Sequence, residues 1–194
     1  MDRPEIRVVD QGEATRALSV QVMAFSSDPI MRWLWPEPHN YVSHYPAFVR
    51  GFGGRAFENG TAHVSEDFLG ASLWLPPGVG ADDDALETVL KETVVEPMLS
   101  EIFSILEQMS EALPKQPHWH LAFIGVDPAH HGKGIGAALL AYALETIDEN
   151  GLHSYLESSN PRNIPLYERY GFEVSREIRV GGSPPVFPML RVPR

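Results

Sequence analysis

Residues 118–140 read HWHLAFIGVDPAHHGKGIGAALL, and this stretch decides the fold. Residues 121–126 form a short apolar run, which is typical of a buried strand. Asp127 and Pro128 end the strand, because proline cannot donate a hydrogen bond to a strand ladder. The apolar spacing from Ile135 to Asn150 predicts a helix.

The loop between this strand and this helix carries Gly132, Gly134 and Gly136. Free N–H groups and the positive end of the helix dipole point out of such a loop, which makes it an anion cradle. Lys133 adds a mobile positive charge. The segment therefore predicts a site that holds a diphosphate.

The rest of the chain alternates between strand and helix patterns. Strands are predicted over residues 6–9, 61–66, 69–75, 152–157, 172–180 and 186–192, besides 121–126. Helices are predicted over residues 13–25, 40–58, 135–150 and 163–170, with two more inside 82–113. The alternation predicts an α+β or mixed α/β sheet with helices on both faces.

Composition limits the class of protein. A length of 194 residues suits a single domain over 1–194, with the two helices at 82–113 as an insertion. The formal charge of −11 argues against nucleic-acid binding and favours cationic small molecules such as amines. The absence of cysteine excludes disulfides, thiolate metal sites and a cysteine nucleophile. Without a long apolar run or an N-terminal signal pattern, we expect no membrane span and a cytoplasmic location.

Two other glycine-loop motifs were compared with this one. A P-loop needs Ser or Thr after Gly-Lys to hold magnesium, but Gly134 follows Lys133, which argues against triphosphate hydrolysis. Gly132, Gly134 and Ala137 satisfy a dinucleotide pattern, and Glu157 closes the next strand. The first glycine, however, comes several residues after the strand end. A dinucleotide-binding oxidoreductase therefore stays as an alternative.

Two motifs resemble the GCN5-related N-acetyltransferases (GNAT). Residues 131–136, HGKGIG, are similar to the acetyl-CoA loop of that family, whose pattern is Arg or Gln, two residues, Gly, one residue, Gly or Ala. Residues 163–172, NIPLYERYGF, resemble its second signature of Asn, Leu-Tyr and Gly-Phe. The likeness extends to the puromycin N-acetyltransferase-like branch through residues 119–122, 125–128, 156–157 and 161–163.

The resemblance implies a mostly antiparallel twisted sheet of about seven strands, splayed at a groove for coenzyme A (CoA). It implies that acetyl-CoA is bound by Ile124, Gly125, Val126, His131, Gly132, Lys133, Gly134, Ile135, Gly136, Ala137 and Asn163. His131 stands where the family usually has Arg or Gln. A neutral imidazole is a poorer phosphate partner than a guanidinium, so we expect weaker CoA binding at most.

Acetyl transfer to an amine needs a base for the amine and an acid for the leaving thiolate. The resemblance implies that Tyr167 is the acid, although a core aromatic beside Leu166 and Phe172 is the alternative reading. Glu157 and His120 are the two candidate bases, and either is equally a structural hydrogen-bond partner. His118, His120, His130 and His131 lack a further ligand at metal-site spacing, so we expect no metal.

The function predicted from the sequence is acetyl-CoA-dependent acetylation of a primary amine on a small molecule. An acyl-CoA-binding sensor without turnover is a second hypothesis. Aromatic residues suit an apolar or cationic amine, and the candidates for the acceptor pocket are Met31, Trp33, Trp35, Tyr41 and Trp74. We expect a monomer or homodimer.

Overall fold

The computed structural model describes residues 4–10 and 12–194. The prediction that the first five residues are not a signal peptide falls partly on residues 1–3, which lie outside the described residues. Seven strands form one sheet. They are β1 (Ile6–Val8), β2 (Ala62–Ser65), β3 (Gly70–Leu75), β4 (His118–Val126), β5 (His153–Ser158), β6 (Glu173–Val174) and β7 (Phe187–Arg191).

The strand order is β1-β2-β3-β4-β5-β7-β6. Every neighbouring pair is antiparallel except β4 and β5, which run parallel. The prediction of a mixed, mostly antiparallel sheet is therefore confirmed. This topology differs from a dinucleotide-binding fold, which needs a mostly parallel sheet, so the oxidoreductase alternative loses its structural basis.

Eight α-helices cover the sheet in the described part of the chain. They are α1 (Ala14–Ala24), α2 (Pro29–Leu34), α3 (Pro38–Gly53), α4 (Arg55–Glu58), α5 (Asp83–Thr93), α6 (Met98–Ala112), α7 (Ile135–Glu149) and α8 (Ile164–Arg169). Leu140, Leu144 and Ile147 of α7 pack with Leu121 of β4 on one face. A larger cluster joins α2, α3, α5 and α6 to the other face.

The prediction of one helix over residues 40–58 is wrong in detail. The helix α3 ends at Gly53, and α4 begins at Arg55. A Cβ atom on Gly53 would lie 2.8 Å from the Phe123 ring, so the glycine lets α3 pass close to β4. Residues 31–36, for which no helix was predicted, fall largely in α2, because Asp28 caps it through the N–H groups of Ile30 and Met31.

The predicted strand over residues 172–180 is also mostly wrong. Only Glu173 and Val174 pair with β7, and Ile178 makes a single bridge to Val186. The following loop instead turns towards α6, where the Gly182 N–H donates to the Glu101 carboxylate at 3.1 Å. Contacts with α6 therefore replace the expected strand ladder.

The strands β4 and β5 separate halfway along their length. Their pairing begins at His118 and His153 and ends at Leu121 and Leu156. Immediately beyond this point β4 has a bulge, since Leu121 pairs with Trp74 and Phe123 with Leu73, which leaves Ala122 as the extra residue. The predicted splaying is confirmed, and it opens a gap in the middle of the sheet.

His63 gives the fold a sensitivity to acid. The side chain is buried on β2 against the Tyr142 ring, with ring centres 4.9 Å apart, and burial lowers its pKa to about 4. The unfolded chain binds a proton near pH 6.5, so this contribution to stability is complete above pH 6.5 and is lost as the pH falls towards 4. Of the loss of unfolding free energy between pH 7 and pH 5, about 2 kcal/mol comes from His63.

The variant His63→Leu tests this assignment. Urea unfolding at pH 7 and pH 5 should show that the variant loses about 2 kcal/mol less than the wild type over this interval. His39 is exposed on α3, so His39→Leu should keep the wild-type pH dependence. An unchanged pH dependence in His63→Leu would contradict the assignment.

Candidate active site

The loop after β4 places backbone groups around an open space. Asp127 accepts a hydrogen bond from the Ala129 N–H at 2.9 Å and so fixes a short 3₁₀ turn after the strand. Gly132 and Gly134 follow with φ values of +76° and +80°, which side chains with a Cβ atom rarely adopt. The helix α7 then begins at Ile135.

The start of α7 leaves several N–H groups without partners. Its first backbone hydrogen bond runs from the Ala138 N–H to the Gly134 carbonyl, and no side chain caps the helix. Among the described residues, no hydrogen bond uses the N–H groups of residues 132–137. These groups and the dipole of a 15-residue helix point into the same space, which suits a diphosphate.

We call this space the loop cavity, which has a volume of about 430 Å³. The predicted donor-binding residues Ile124, Gly125, Val126, His131, Gly132, Gly134, Ile135, Gly136, Ala137 and Asn163 all line it. Lys133 does not line it and is exposed. Sequence reasoning missed Ala24, Phe25, Ser27, Asp28, His130, Asn160, Leu166 and Arg169.

Gly125 shows how closely the N-terminal part approaches this cavity. A Cβ atom on Gly125 would lie 2.5 Å from the Ala24 Cβ and 2.7 Å from the Gln21 amide oxygen. Gln21 is fully buried and donates to the Ala71 carbonyl at 3.0 Å, which fixes α1 against the sheet. The glycine therefore allows α1 to pack directly on β4.

Of the two histidines of the loop, His131 is held by a hydrogen bond to the protein, whereas His130 only lies close to a carboxylate. The Nε2 atom of His131 lies 3.0 Å from the Val126 carbonyl oxygen, which requires Nε2–H as the donor. His131 therefore turns back onto β4 and braces the loop. His130 Nδ1 lies 3.3 Å from an Asp127 carboxylate oxygen.

Arg169 supplies a positive charge from the opposite wall. It lies at the end of α8 and lines the loop cavity. Its guanidinium makes no ion pair or hydrogen bond within residues 4–10 and 12–194. The signal in the sequence was its place two residues after Tyr167, in a motif that already supplies Asn163 and Tyr167 to this wall.

Tyr167 lies where the loop cavity meets a second cavity. This inner cavity has a volume of about 90 Å³, is also bordered by Tyr167, Asn163 and Ile124, and is otherwise mostly apolar. The Tyr167 ring packs edge-on against Phe172 with centres 6.2 Å apart, and its hydroxyl makes no hydrogen bond with any described residue. Burial and, less strongly, the carboxylate of Asp28 raise the pKa of the phenol, which keeps it protonated.

Asp28 joins the two halves of the chain beside Tyr167. Besides capping α2, it accepts a hydrogen bond from the Ser159 hydroxyl at 2.5 Å. Ser159 follows β5, so the contact spans 131 residues of sequence. Burial raises the pKa of the Asp28 carboxyl. Sequence reasoning gave Asp28 no role, because nothing local predicted the contact with Ser159.

Glu157 and His120, the two candidate bases, bind each other. The His120 Nε2 atom lies 2.7 Å from a Glu157 carboxylate oxygen, and the two side chains are 15% and 6% exposed. Phe52 packs edge-on against the His120 ring, with centres 5.7 Å apart. The two residues were predicted as alternative bases, whereas the structure brings them together as one pair.

The pair separates the inner cavity from a third space. This outer cavity has a volume of about 580 Å³ and opens beside α6. Glu157 borders both cavities, and His120 and His118 border the outer one. Glu157 thus lies between an apolar interior, which Tyr167 also borders, and a wider opening.

The aromatic residues predicted for the acceptor pocket lie mostly elsewhere. Met31 does line the inner cavity. Trp35 is buried and donates to the Thr93 hydroxyl at 3.2 Å, and the buried Tyr41 donates to the Val22 carbonyl at 2.7 Å. Trp33 packs at the margin of the same core, and Trp74 is buried beneath α7. These four predictions are wrong because the side chains complete the core.

Within the described residues, no three His, Asp or Glu side chains are arranged to hold a metal ion. None of the helices in the described part of the chain is long and apolar enough to cross a membrane.

Comparison with known proteins points to one type of enzyme. Residues 100–172 match the acetyltransferase (GNAT) family. An uncharacterised N-acetyltransferase of Schizosaccharomyces pombe is 27% identical over 190 residues, which cover 88% of this chain and 74% of that protein. A mycothiol acetyltransferase of Propionibacterium freudenreichii is 39% identical over 62 residues, or 30% of this chain and 20% of that protein.

Solved structures share the whole fold at low identity. The histone acetyltransferase HPA2 and related acetyltransferase of Corynebacterium glutamicum has a TM-score of 0.70 at 22% identity, covering 100% of this chain and 98% of that one. Arylalkylamine N-acetyltransferase 2 of Aedes aegypti has a TM-score of 0.68 at 12% identity and covers 100% of both chains. The chain therefore has the fold of these acetyltransferases.

The unpaired Arg169 gives a test of the loop cavity. Because a guanidinium forms charge-assisted hydrogen bonds with phosphate, Arg169→Gln should weaken CoA binding about tenfold. Calorimetric titration with CoA and with pantetheine, which has no phosphate, should show the loss for CoA alone. Arg162 is exposed and outside the cavity, so Arg162→Gln should bind CoA as the wild type does. Equal weakening for both ligands would contradict a phosphate contact.

Proposed function

We propose that the protein transfers an acetyl group from acetyl-CoA to a primary amine of a small molecule by direct attack. One observation carries this proposal. Tyr167, whose hydroxyl is free, and Glu157, which is bonded to His120, border one cavity, and that cavity adjoins the loop cavity at Tyr167, Asn163 and Ile124. The reaction requires an acid that protonates the leaving thiolate, a base that deprotonates the amine, and a site that binds the diphosphate of the donor.

The residues of the loop cavity fit the donor. The unused N–H groups of residues 132–137 and the Arg169 guanidinium would hold the pyrophosphate. Gly132 and Gly134 add no side chain, and the space beside each Cα is open, so backbone and phosphate can approach closely. The Asn163 side chain is unbonded in the described part of the chain and is free to bind the pantetheine arm. The His131 ring supports the loop instead of contacting phosphate.

Transfer forms a bond from the amine nitrogen to the acetyl carbon and breaks the carbon–sulfur bond. The amine loses one proton, and the departing thiolate gains one. Glu157 accepts the amine proton and passes it through His120 to solvent in the outer cavity. Tyr167 donates its phenolic proton to the sulfur. The apolar lining of the inner cavity disfavours a charged amine, so the proton must leave as the amine arrives.

The hypothesis of a sensor without turnover shares the loop cavity but gives Glu157, His120 and Tyr167 no role. It predicts that CoA is never released, whatever amine is offered. The puromycin N-acetyltransferase-like branch stays a prediction, and acetylation of puromycin itself tests it.

Tyr167→Phe tests the acid. Removal of the hydroxyl leaves the ring in place, so kcat should fall about 100-fold or more while the KM for acetyl-CoA stays within about threefold. Release of free CoA from acetyl-CoA and an amine panel measures both quantities. Tyr142→Phe is the matched control, since Tyr142 is partly exposed on α7. Full activity in Tyr167→Phe, with chemistry rate-limiting, would refute the assignment.

Glu157→Gln tests the base. At pH 7 we expect kcat/KM to fall about 100-fold, and the loss to shrink towards pH 9.5, where more of the amine is already neutral in solution. His120→Gln should give a smaller loss with the same pH trend, because it removes the relay and leaves the carboxylate. His118→Gln is the control on the same strand. A loss that does not change with pH would argue for a purely structural pair.

A further inference from the structure

The inner and outer cavities adjoin each other, and we call the two together the channel. Phe52, Leu106, Met109 and Glu157 border both of them. The channel therefore runs from the Tyr167 hydroxyl, past the Glu157–His120 pair, to the surface beside α6. Its volume rises from about 90 Å³ at the inner end to about 580 Å³ at the outer end. The inner part admits only the end of a molecule, and the outer part accommodates a larger body.

The roof of this channel is the helix α6. Its apolar residues recur at helical spacing, but only Ile102 and Ile105 are buried. Leu106 and Met109 are half-buried, pack against the edge of the core and line the channel. The floor is aromatic, with Phe52 parallel to Phe48 at 6.1 Å. An apolar ligand body fills such a space better than a polar one.

The mouth of the channel is acidic. Asp83, Glu87 and Glu107 lie on its rim, and its lining contains neither Lys nor Arg in the described part of the chain. Glu87 pairs with the exposed Lys91 on α5, which leaves the rim with net negative charge. Such a rim attracts a protonated amine and repels a carboxylate or phosphate on the acceptor.

We propose, on the basis of the function proposed above, that the acceptor is a primary amine on an elongated apolar body without an acidic group, such as an alkyl or arylalkyl amine. The amine reaches the inner cavity, and its body lies between Phe52 and α6. Leu106 and Met109 set the size of body that fits. They are specificity-determining residues, since they touch the body and lie outside the proton-transfer groups.

A series of acceptors tests this class. The wild type should show kcat/KM about tenfold or more higher for 2-phenylethylamine than for ethylamine, because each added apolar group gains contacts in the channel. Phenylalanine has the same skeleton with a carboxylate, and glucosamine 6-phosphate carries a phosphate. Both should be at least about tenfold poorer than 2-phenylethylamine. A flat response to apolar length, or a preference for either anionic acceptor, would overturn the proposal.

Met109→Trp tests the roof. The larger side chain should fill the channel and lower kcat/KM for 2-phenylethylamine about tenfold or more relative to that for ethylamine. Met23→Trp is the matched control, since Met23 is 55% exposed on α1. If Met109→Trp does not fold, Leu106→Ala tests the same residue row. Its wider channel should raise kcat/KM for 2-naphthylethylamine relative to that for 2-phenylethylamine. Equal effects of these substitutions on all amines would refute the proposal that α6 selects the acceptor by the size of its body.

Two further measurements separate the possible failures. The first is calorimetric titration of the wild type and of Met109→Trp with 2-phenylethylamine. Binding that is present in the wild type and lost in the variant supports the channel. If, in addition, no amine releases CoA, only the proposed acetyl transfer fails. The second uses hexanoyl-CoA, a donor whose longer acyl chain would extend into the same channel. If the wild type uses hexanoyl-CoA better than acetyl-CoA and Met109→Trp reverses this preference, the channel holds an acyl chain and the proposal is wrong.

Discussion

The central strands β4 and β5 run parallel to each other. Each of them pairs with its outer neighbour over more residues than it pairs with the other. The strand β4 stays paired with β3 as far as Val126, and β5 stays paired with β7 as far as Ser158. Between them the ladder stops at Leu121 and Leu156. Backbone groups facing the gap lose strand partners, and unpaired groups are costly unless water, a helix or a ligand meets them. The other features of the site are built around this opening.

Each side of the opening has its own support. On the β4 side, α1 packs directly against Gly125, and the loop with Gly132 and Gly134 leads into α7. On the β5 side, α8 brings Tyr167 and Arg169 to the same space. Asp28 and Ser159 connect the two sides by a part-buried hydrogen bond. This contact ties the two sides of the opening together beside the cavity that Tyr167 and Glu157 border.

Local sequence signals predicted which residues come together around the loop cavity. Glycines, a strand end and a helix start act within a few residues, so the predicted loop residues, except Lys133, line one cavity with Asn163 and Tyr167. The pairing of His120 with Glu157 was not predictable, because the partners lie 37 residues apart and depend on the register of two strands. The prediction that the tryptophans line the acceptor pocket was wrong, since composition alone does not distinguish an aromatic core residue from a residue that lines a pocket.

The acceptor side is under a different kind of constraint. Phe52 and His120 belong to elements that the core depends on, whereas α6 contributes two buried residues and is fastened to the loop after β6 by Glu101 and by Arg176, which donates to the Gln108 carbonyl. Substitutions at the buried Ile102 and Ile105 therefore cost much folding energy, while those at the half-buried Leu106 and Met109 cost less. Over evolutionary time, relatives with this architecture can change their acceptor by varying one helix while the donor machinery stays intact. The roof of the channel is thus the part of the molecule in which new substrate ranges can arise.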